Sequence, residues 1–299
     1  MARKGLQRGF NQGILQGVKT GLGMAGQRTG YAGGITDGTA NMNKLQDPVL
    51  LTGVKKPLFF CNADNVTTNT GLVITLTDLI GSGRALTNAQ GTSPTPDLNT
   101  RSIFNLRNSL DFNNSAGSMY PTPAFNLSGK SEYSVMMVIK IDSATGYILQ
   151  VQDLLSPGGL VLQVTDTNQT IRSTFYGGQA GSLTTSVYET AGISQAERQD
   201  WMILTAKYQL NLSQGVGSEQ EVYINGTLKK QLVSSNFNIV TTTMAATSTF
   251  VIGNDRESLG SQGGNIHLGA FLMTDYWLNE SEQLRLENYF RDYYGHKFW

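Results

Sequence analysis

The chain has 299 residues, which is enough for one large domain with an appendage or for two ordinary domains. Charged residues make up only 15% and glycine contributes 34 residues, a balance that argues against a helical bundle and favours strands joined by turns. The formal net charge of zero excludes a general electrostatic attraction to nucleic acid or to acidic membranes.

The cysteine count and the lengths of the apolar runs indicate the cellular compartment in which the protein is assembled. Cys61 is the single cysteine, so the chain has no internal disulfide and no cysteine-rich metal site, which suits assembly in a reducing compartment. No apolar run approaches the roughly 18 residues of a membrane span, and no signal-peptide pattern opens the chain. The sequence therefore predicts neither a membrane-spanning segment nor export directed by a signal peptide.

Residues 1–46 form a glycine-rich basic arm with a four-residue repeat. Five basic residues precede the first acid, Asp37, and each repeated glycine is followed by an apolar residue. On a helix, positions four apart share a face, but each interior glycine costs roughly 0.5–1 kcal/mol relative to alanine. We therefore expect the arm to order only on docking, where a partner backbone approaches closely; the alternative is a flexible leader. The predicted anchor residues are Gly5, Gly9, Phe10, Gly13, Ile14, Gly17, Val18, Gly21 and Leu22.

The residue pattern of 47–299 predicts one all-β domain. A turn-rich segment is expected over 78–97, Asn225-Gly226 predicts a tight hairpin, and a helix is expected from Asn279 to Gly295. Regular short strands without alternating helices favour a β-sandwich over βαβ units. Alternation and β-branched content predict strands at 72–76, 109–113, 133–141, 146–152, 159–165, 170–176, 183–188, 200–208, 220–224, 227–233, 248–252 and 265–273.

Several short motifs occur in a recognisable order, at 78–83, 110–112, 133–135, Trp201, 223–226, 250–253 and 281–295. This order resembles the laminin-G-like, concanavalin A-like jelly-roll domains found in tailed-phage structural proteins. The resemblance covers about residues 72–299 and leaves the arm outside. It implies an antiparallel β-sandwich with a C-terminal helix and no enzymatic activity. The glycine-rich N-terminal arm precedes this domain.

The acids and histidines do not form a convincing catalytic pattern. Glu219 and Glu221 share a strand face, but the Glu-x-Asp-x-x-Glu pattern of glycoside hydrolases on this fold is absent, and Glu221 is interpreted as an exposed position beside Tyr223. His267 and His296 lack metal-ligand spacing. A Ser-His-Asp triad is left open by chain order, but no Gly-x-Ser-x-Gly elbow supports one. We expect no catalytic residue and no metal site among these positions.

The remaining candidate functional residues are one loop that could bind a ligand and three tryptophans. Asn254 and Asp255 directly follow a predicted strand and carry oxygen ligands that calcium or a sugar would accept, although a polar turn is the simpler interpretation. No other cofactor is expected. Trp201 and Trp277 are predicted to be core residues, and Trp299 is predicted to be an exposed contact.

The resemblance and the arm together favour a non-enzymatic virion structural protein, such as a capsid decoration, head-fibre or tail-associated module. Such a protein would assemble in the host cytoplasm, dock on capsid or tail proteins through its arm, and be present in several copies as a homo-oligomer. The alternative is a carbohydrate-binding adhesion module for host-surface glycans, which exposed aromatic residues on a sheet or loop would distinguish. A glycan-degrading enzyme is the third hypothesis, which an activity assay addresses.

Overall fold

The computed structural model describes a large part of the predicted body. The arm (1–46), the candidate loop residues Asn254 and Asp255, and Trp299 lie outside the described residues. Within the part of the chain that is described, no helix is long and apolar enough to cross a membrane. The described residues are 54–69, 72–88, 95–97, 108–112, 118–125, 130–142, 146–151, 159–164, 171–179, 182–189, 199–209, 218–234, 250–253 and 264–294.

The described strands pair antiparallel in two sheets. Sheet A has eight described strands in the order β15-β14-β13-β8-β17-β6-β5, with β1 also paired to β17. Its members are β1 (Phe59–Asn62), β5 (Thr95–Asp97), β6 (Ser109–Phe112), β8 (Glu132–Ile141), β13 (Met202–Gln209), β14 (Ser218–Ile224), β15 (Thr227–Ser234) and β17 (Ile266–Thr274).

Sheet B has nine described strands, in the order β12-β11-β10-β9-β16-β7-β4-β3-β2. Its members are β2 (Val66–Asn69), β3 (Leu72–Thr77), β4 (Ala85–Asn88), β7 (Met119–Thr122), β9 (Gly146–Val151), β10 (Gly159–Val164), β11 (Ile171–Gln179), β12 (Ser182–Glu189) and β16 (Phe250–Ile252).

Alternate side chains of strands such as β13 and β14 contribute to the core between the sheets. On β13, Met202, Leu204 and Ala206 enter this core, whereas Ile203 lies on the opposite face. Phe250 of sheet B and Phe271 of sheet A meet across it with ring centroids 4.8 Å apart. The two sheets therefore form a sandwich with an inner apolar layer.

The single described α-helix, α1 (Glu280–Tyr294), covers part of the outer face of sheet A. Its start is fixed by a capping box, because the Glu282 backbone N–H donates to Asn279 Oδ1 (2.9 Å) and the Asn279 backbone N–H donates to Glu282 Oε2 (3.2 Å). Phe290 is fully buried and packs against Phe60 of β1, with ring centroids 6.2 Å apart. The helix thus buries apolar outer-face residues of β1, β8, β13 and β17.

The turn between β14 and β15 confirms the predicted hairpin. Asn225 (φ 53°) and Gly226 (φ 83°) both adopt positive φ, as a type I′ turn requires. The turn also touches α1, since Arg291 Nη2 donates to the Asn225 carbonyl at 3.0 Å. A Cβ on Gly226 would meet Glu287 Oε2, so a larger residue there would have to displace this buried carboxylate in addition to adopting a strained positive φ.

The predicted fold class is confirmed: the described structure is a two-sheet antiparallel sandwich with a C-terminal helix. The segment 78–97 was predicted to be turn-rich; it has turns before β4, but it also contains two strands that were not predicted, β4 and β5. β5 includes Pro96 and lies at the edge of sheet A, where a missing N–H is tolerated. The turn before β4 is held by Asp78, whose carboxylate accepts backbone N–H groups of Phe60, Ile80 and Ser82.

Candidate functional site

A polar and aromatic surface lies on the outer face of sheet A beside α1. On β14, Val222 and Ile224 enter the core, so the intervening positions face outward. We call this surface the outer strip; it consists of Lys207 of β13, Glu219, Glu221 and Tyr223 of β14, and Gln231 of β15.

An ion pair forms the centre of the outer strip. Lys207 and Glu221 are register partners on β13 and β14, and Lys207 Nζ lies 2.8 Å from Glu221 Oε2. The Lys207 side chain is 2% exposed, and its Nζ also donates to the Leu278 carbonyl at 3.3 Å. Because an unpaired buried charge is costly, Glu221 and the carbonyl are what allow a lysine at this position.

Two half-buried aromatic rings flank this ammonium group. Lys207 Nζ lies 4.5 Å from the ring centroid of Tyr223 and 5.1 Å from the ring of Trp277. Both distances are within the range of a cation–π interaction. Both rings therefore contact the same ammonium group, and both residues are partly accessible to solvent.

Hydrogen bonds hold both aromatic residues in place. The Tyr223 hydroxyl donates to Glu221 Oε2 at 2.7 Å, and burial together with this neighbouring carboxylate raises the pKa of Tyr223 well above its usual value. Tyr223 is thus a protonated donor at all physiological pH values. The backbone N–H of Trp277 donates to Glu132 Oε2 at 3.2 Å, which anchors the segment that precedes α1.

Amide and carboxylate groups form the rim of the outer strip. Gln231 is exposed, and its Nε2 donates to Glu219 Oε1 (2.6 Å) and to Glu221 Oε1 (3.2 Å). Beside Trp277, Gln209 Nε2 donates to Glu132 Oε1 at 2.9 Å. Aromatic faces surrounded by hydrogen-bonding groups can bind a ligand that has both an apolar face and several hydroxyl groups.

A second polar cluster lies at the other end of the same outer face. His267 Nε2 lies 2.6 Å from Asp142 Oδ2, and Lys140 Nζ lies 2.8 Å from Asp142 Oδ1. Burial alone would raise the pKa of Asp142, but hydrogen bonds and charges from Lys140 and His267 outweigh it and lower that pKa. His267 Nδ1 is buried and has no hydrogen-bond partner within the described residues, so no catalytic triad is completed there.

The structure corrects two sequence interpretations. Glu221, interpreted as exposed, is 9% exposed and ion-paired. Trp277, predicted to be core, is half-buried in the segment between β17 and α1, whereas the prediction for Trp201 is confirmed. Lys207 was not identified as a site residue from the sequence, because it stands within an apolar run. The available signal was an opposite charge, Glu221, at the facing position of the neighbouring strand.

Two predicted sites lie where the structure gives no description, namely the anchor residues of the arm and the loop that carries Asn254 and Asp255. Within the described ranges, no group of three or more His, Cys, Asp or Glu side chains is arranged to hold a metal ion. The calcium hypothesis for Asn254 and Asp255 therefore stays a prediction.

Comparisons with known proteins identify a fold without a family. No protein-family model matches the chain, and no curated protein matches it. Among solved structures, it is similar to the ligand-binding domain of botulinum neurotoxin serotype D in complex with N-acetylneuraminic acid, with a TM-score of 0.52, 14% identity, and 78% of this chain and 50% of that chain covered.

Two further structures show the same similarity. The receptor-binding domain of the botulinum neurotoxin C/D mosaic serotype matches with a TM-score of 0.51 and 14% identity, over 78% of this chain and 51% of that one. A structure of botulinum neurotoxin type C, whose cell entry depends on interaction with two ganglioside molecules, matches with a TM-score of 0.50 and 16% identity over 84% and 53%. The chain spans about half the length of these structures. At such identities the likeness shows the jelly-roll-like sandwich fold alone.

Proposed function

We propose that this chain is a non-enzymatic carbohydrate-binding module that attaches to surface glycans through the outer strip and Trp277. The observation that carries the proposal is the pair of half-buried rings, Tyr223 and Trp277, which both contact the Lys207 ammonium, with the exposed side chain of Gln231 on the same outer strip. Similarity to structures that bind N-acetylneuraminic acid or interact with gangliosides supports this choice at the level of fold.

The physical basis is the amphipathic character of sugars. The C–H face of a pyranose ring packs on an aromatic face and releases water, while its hydroxyl groups exchange hydrogen bonds with carboxylates and amides. Glu219 and Gln231 supply such groups at the rim. Because each polar exchange with water contributes only about 0.5–1.5 kcal/mol, a single site binds weakly, and several copies of the module would provide the avidity that attachment requires.

A glycan microarray probed with the full chain tests this function. Tyr223→Ala removes one ring of the site, and Tyr120→Ala is the matched control, because Tyr120 is a half-buried tyrosine on β7 of sheet B. The proposal expects glycan binding by the unmodified chain, its loss in Tyr223→Ala, and its retention in Tyr120→Ala. An array without any bound glycan, or equal binding by both variants, would overturn it.

A role as a virion structural protein is the second candidate, and the glycine repeat of the arm favours it. Glycines at every fourth position, each followed by an apolar residue, suit close docking on a capsid or tail protein. In this case the protein would assemble in the host cytoplasm, reside in the virion as a homo-oligomer and project the sandwich. The two candidates are compatible, because the arm and the outer strip are different parts of the chain.

Incorporation into purified particles tests the second candidate. Gly13→Leu adds a side chain on the glycine stripe, whereas Gln16→Leu introduces the same residue at a polar position of the same repeat with little change in side-chain size. Immunoblots of particles should detect the unmodified chain and Gln16→Leu but not Gly13→Leu. Absence of the unmodified chain from particles would refute the candidate.

A further inference from the structure

We infer that the outer strip selects glycans that carry no negative charge. This inference rests on the proposed function and adds the ligand class. Its basis is the balance of charges around Tyr223 and Trp277, which differs from that of a site for acidic sugars.

The central cation of the outer strip is not available to a ligand. Lys207 is 2% exposed, and Glu221 at 2.8 Å neutralises its charge. Its remaining contacts are the Leu278 carbonyl and the two aromatic rings. A carboxylate on a bound sugar would therefore meet a neutral pair rather than a free ammonium group.

The other charges near the rings are mainly acidic. Glu219 lies on β14 two residues from Glu221, and Glu132 accepts the Trp277 backbone N–H. Glu280 is the exposed first residue of α1; after burial and the neighbouring Glu221, it and Glu219 add smaller contributions that raise the pKa of Tyr223. Among the side chains described on the neighbouring strand β15, Lys229 supplies the positive charge, against these three carboxylates. The local field thus opposes an anionic ligand.

The nearby start of α1 does not compensate for these acids. A free helix N-terminus attracts anions through its backbone N–H groups. Here the Asn279 side chain accepts the Glu282 N–H at 2.9 Å, and Glu282 and Glu280 add negative charge to the first turn. The terminus is already capped, and its positive end is balanced by the protein itself.

Paired oligosaccharides that differ only in a terminal sialic acid test the inference by isothermal titration of the full chain. The uncharged member should bind at least about tenfold more tightly than the sialylated one, the ratio that corresponds to about 1.4 kcal/mol. Replacing both acids, Glu219→Gln with Glu280→Gln, should reduce this ratio, whereas Asp292→Asn, an exposed acid in the last turn of α1, should leave it unchanged.

The outcomes separate the inference from the proposed function. Tighter binding of the sialylated member, lost in Tyr223→Ala, would keep the proposed site and overturn the inference. A ratio that does not change in the double variant would also overturn it, since the acids would then not set the preference. No binding of either member, or binding that survives Tyr223→Ala, would remove the proposed function and the inference with it.

Discussion

Lys207 and Glu221 stand opposite each other on neighbouring strands of sheet A, and their side chains meet at 2.8 Å beneath two aromatic rings. The pair fixes the geometry of the outer strip, because Glu221 also accepts the Tyr223 hydroxyl and the Gln231 amide. The same carboxylate thus neutralises a buried cation and positions one wall of the candidate binding surface.

Removing the charge of Glu221 should destabilise the protein strongly. Glu221→Gln leaves a buried ammonium without its counter-charge, and we expect a loss of about 3 kcal/mol in the free energy of unfolding. Urea denaturation measures this loss. Glu219→Gln, a charge removal at the rim of the same strand, should stay within about 0.5 kcal/mol of the unmodified chain. Equal losses in the two variants would contradict a special role for the ion pair.

Two glycines with similar backbone angles should respond differently to alanine. Gly81 (φ 74°) has open space where a Cβ would stand, whereas a Cβ on Gly226 (φ 83°) would meet Glu287 Oε2. Both substitutions incur the strain of positive φ, about 1 kcal/mol, but only Gly226→Ala also displaces a buried carboxylate. Thermal denaturation should therefore show a clearly larger loss for Gly226→Ala. Equal losses would mean that contact with α1 does not matter.

The contacts of Asp142 with Lys140 and His267 should make the free energy of unfolding depend on pH in the acid range. The pKa of Asp142 is lowered in the folded protein, so its contribution is present above the unfolded value of about 3.9 and is lost as pH falls through the folded value. Unfolding measured from pH 6 to pH 2 should show Asp142→Asn less stable than the unmodified chain at pH 6, with the difference shrinking below about pH 4. A difference independent of pH would contradict the ionic origin of the effect.

The helix cap offers a further test of local structure. Asn279→Ala removes the acceptor for the Glu282 N–H, and such a loss costs about 1 kcal/mol. Asn288→Ala is the control, because Asn288 is exposed within α1 and alanine favours a helix. Urea denaturation should rank Asn279→Ala below the unmodified chain and Asn288→Ala level with it or above it. The opposite order would contradict the capping box.

Local patterns predicted much of the sandwich, whereas the site depends on contacts between distant segments. Alternation located β13 and β14, and Asn225-Gly226 identified the hairpin that joins β14 to β15, because these signals lie within a few residues. β4 and β5 were missed because each is only three or four residues long, too short for a clear alternation, and each is defined by its pairing with neighbouring strands, β3 and β7 for β4 and β6 for β5. Trp277 reaches the outer strip only because the segment before α1 crosses β8 and β13, which no periodicity encodes.

The most direct test of the glycan-binding account is a fluorescence titration of the full chain with an uncharged glycan identified on the array. Trp277 borders the proposed surface, whereas Trp201 is buried. The account predicts a saturable change in tryptophan emission that disappears in Trp277→Phe while Trp201→Phe retains it. The same saturable change in Trp277→Phe would place the glycan elsewhere and contradict the account.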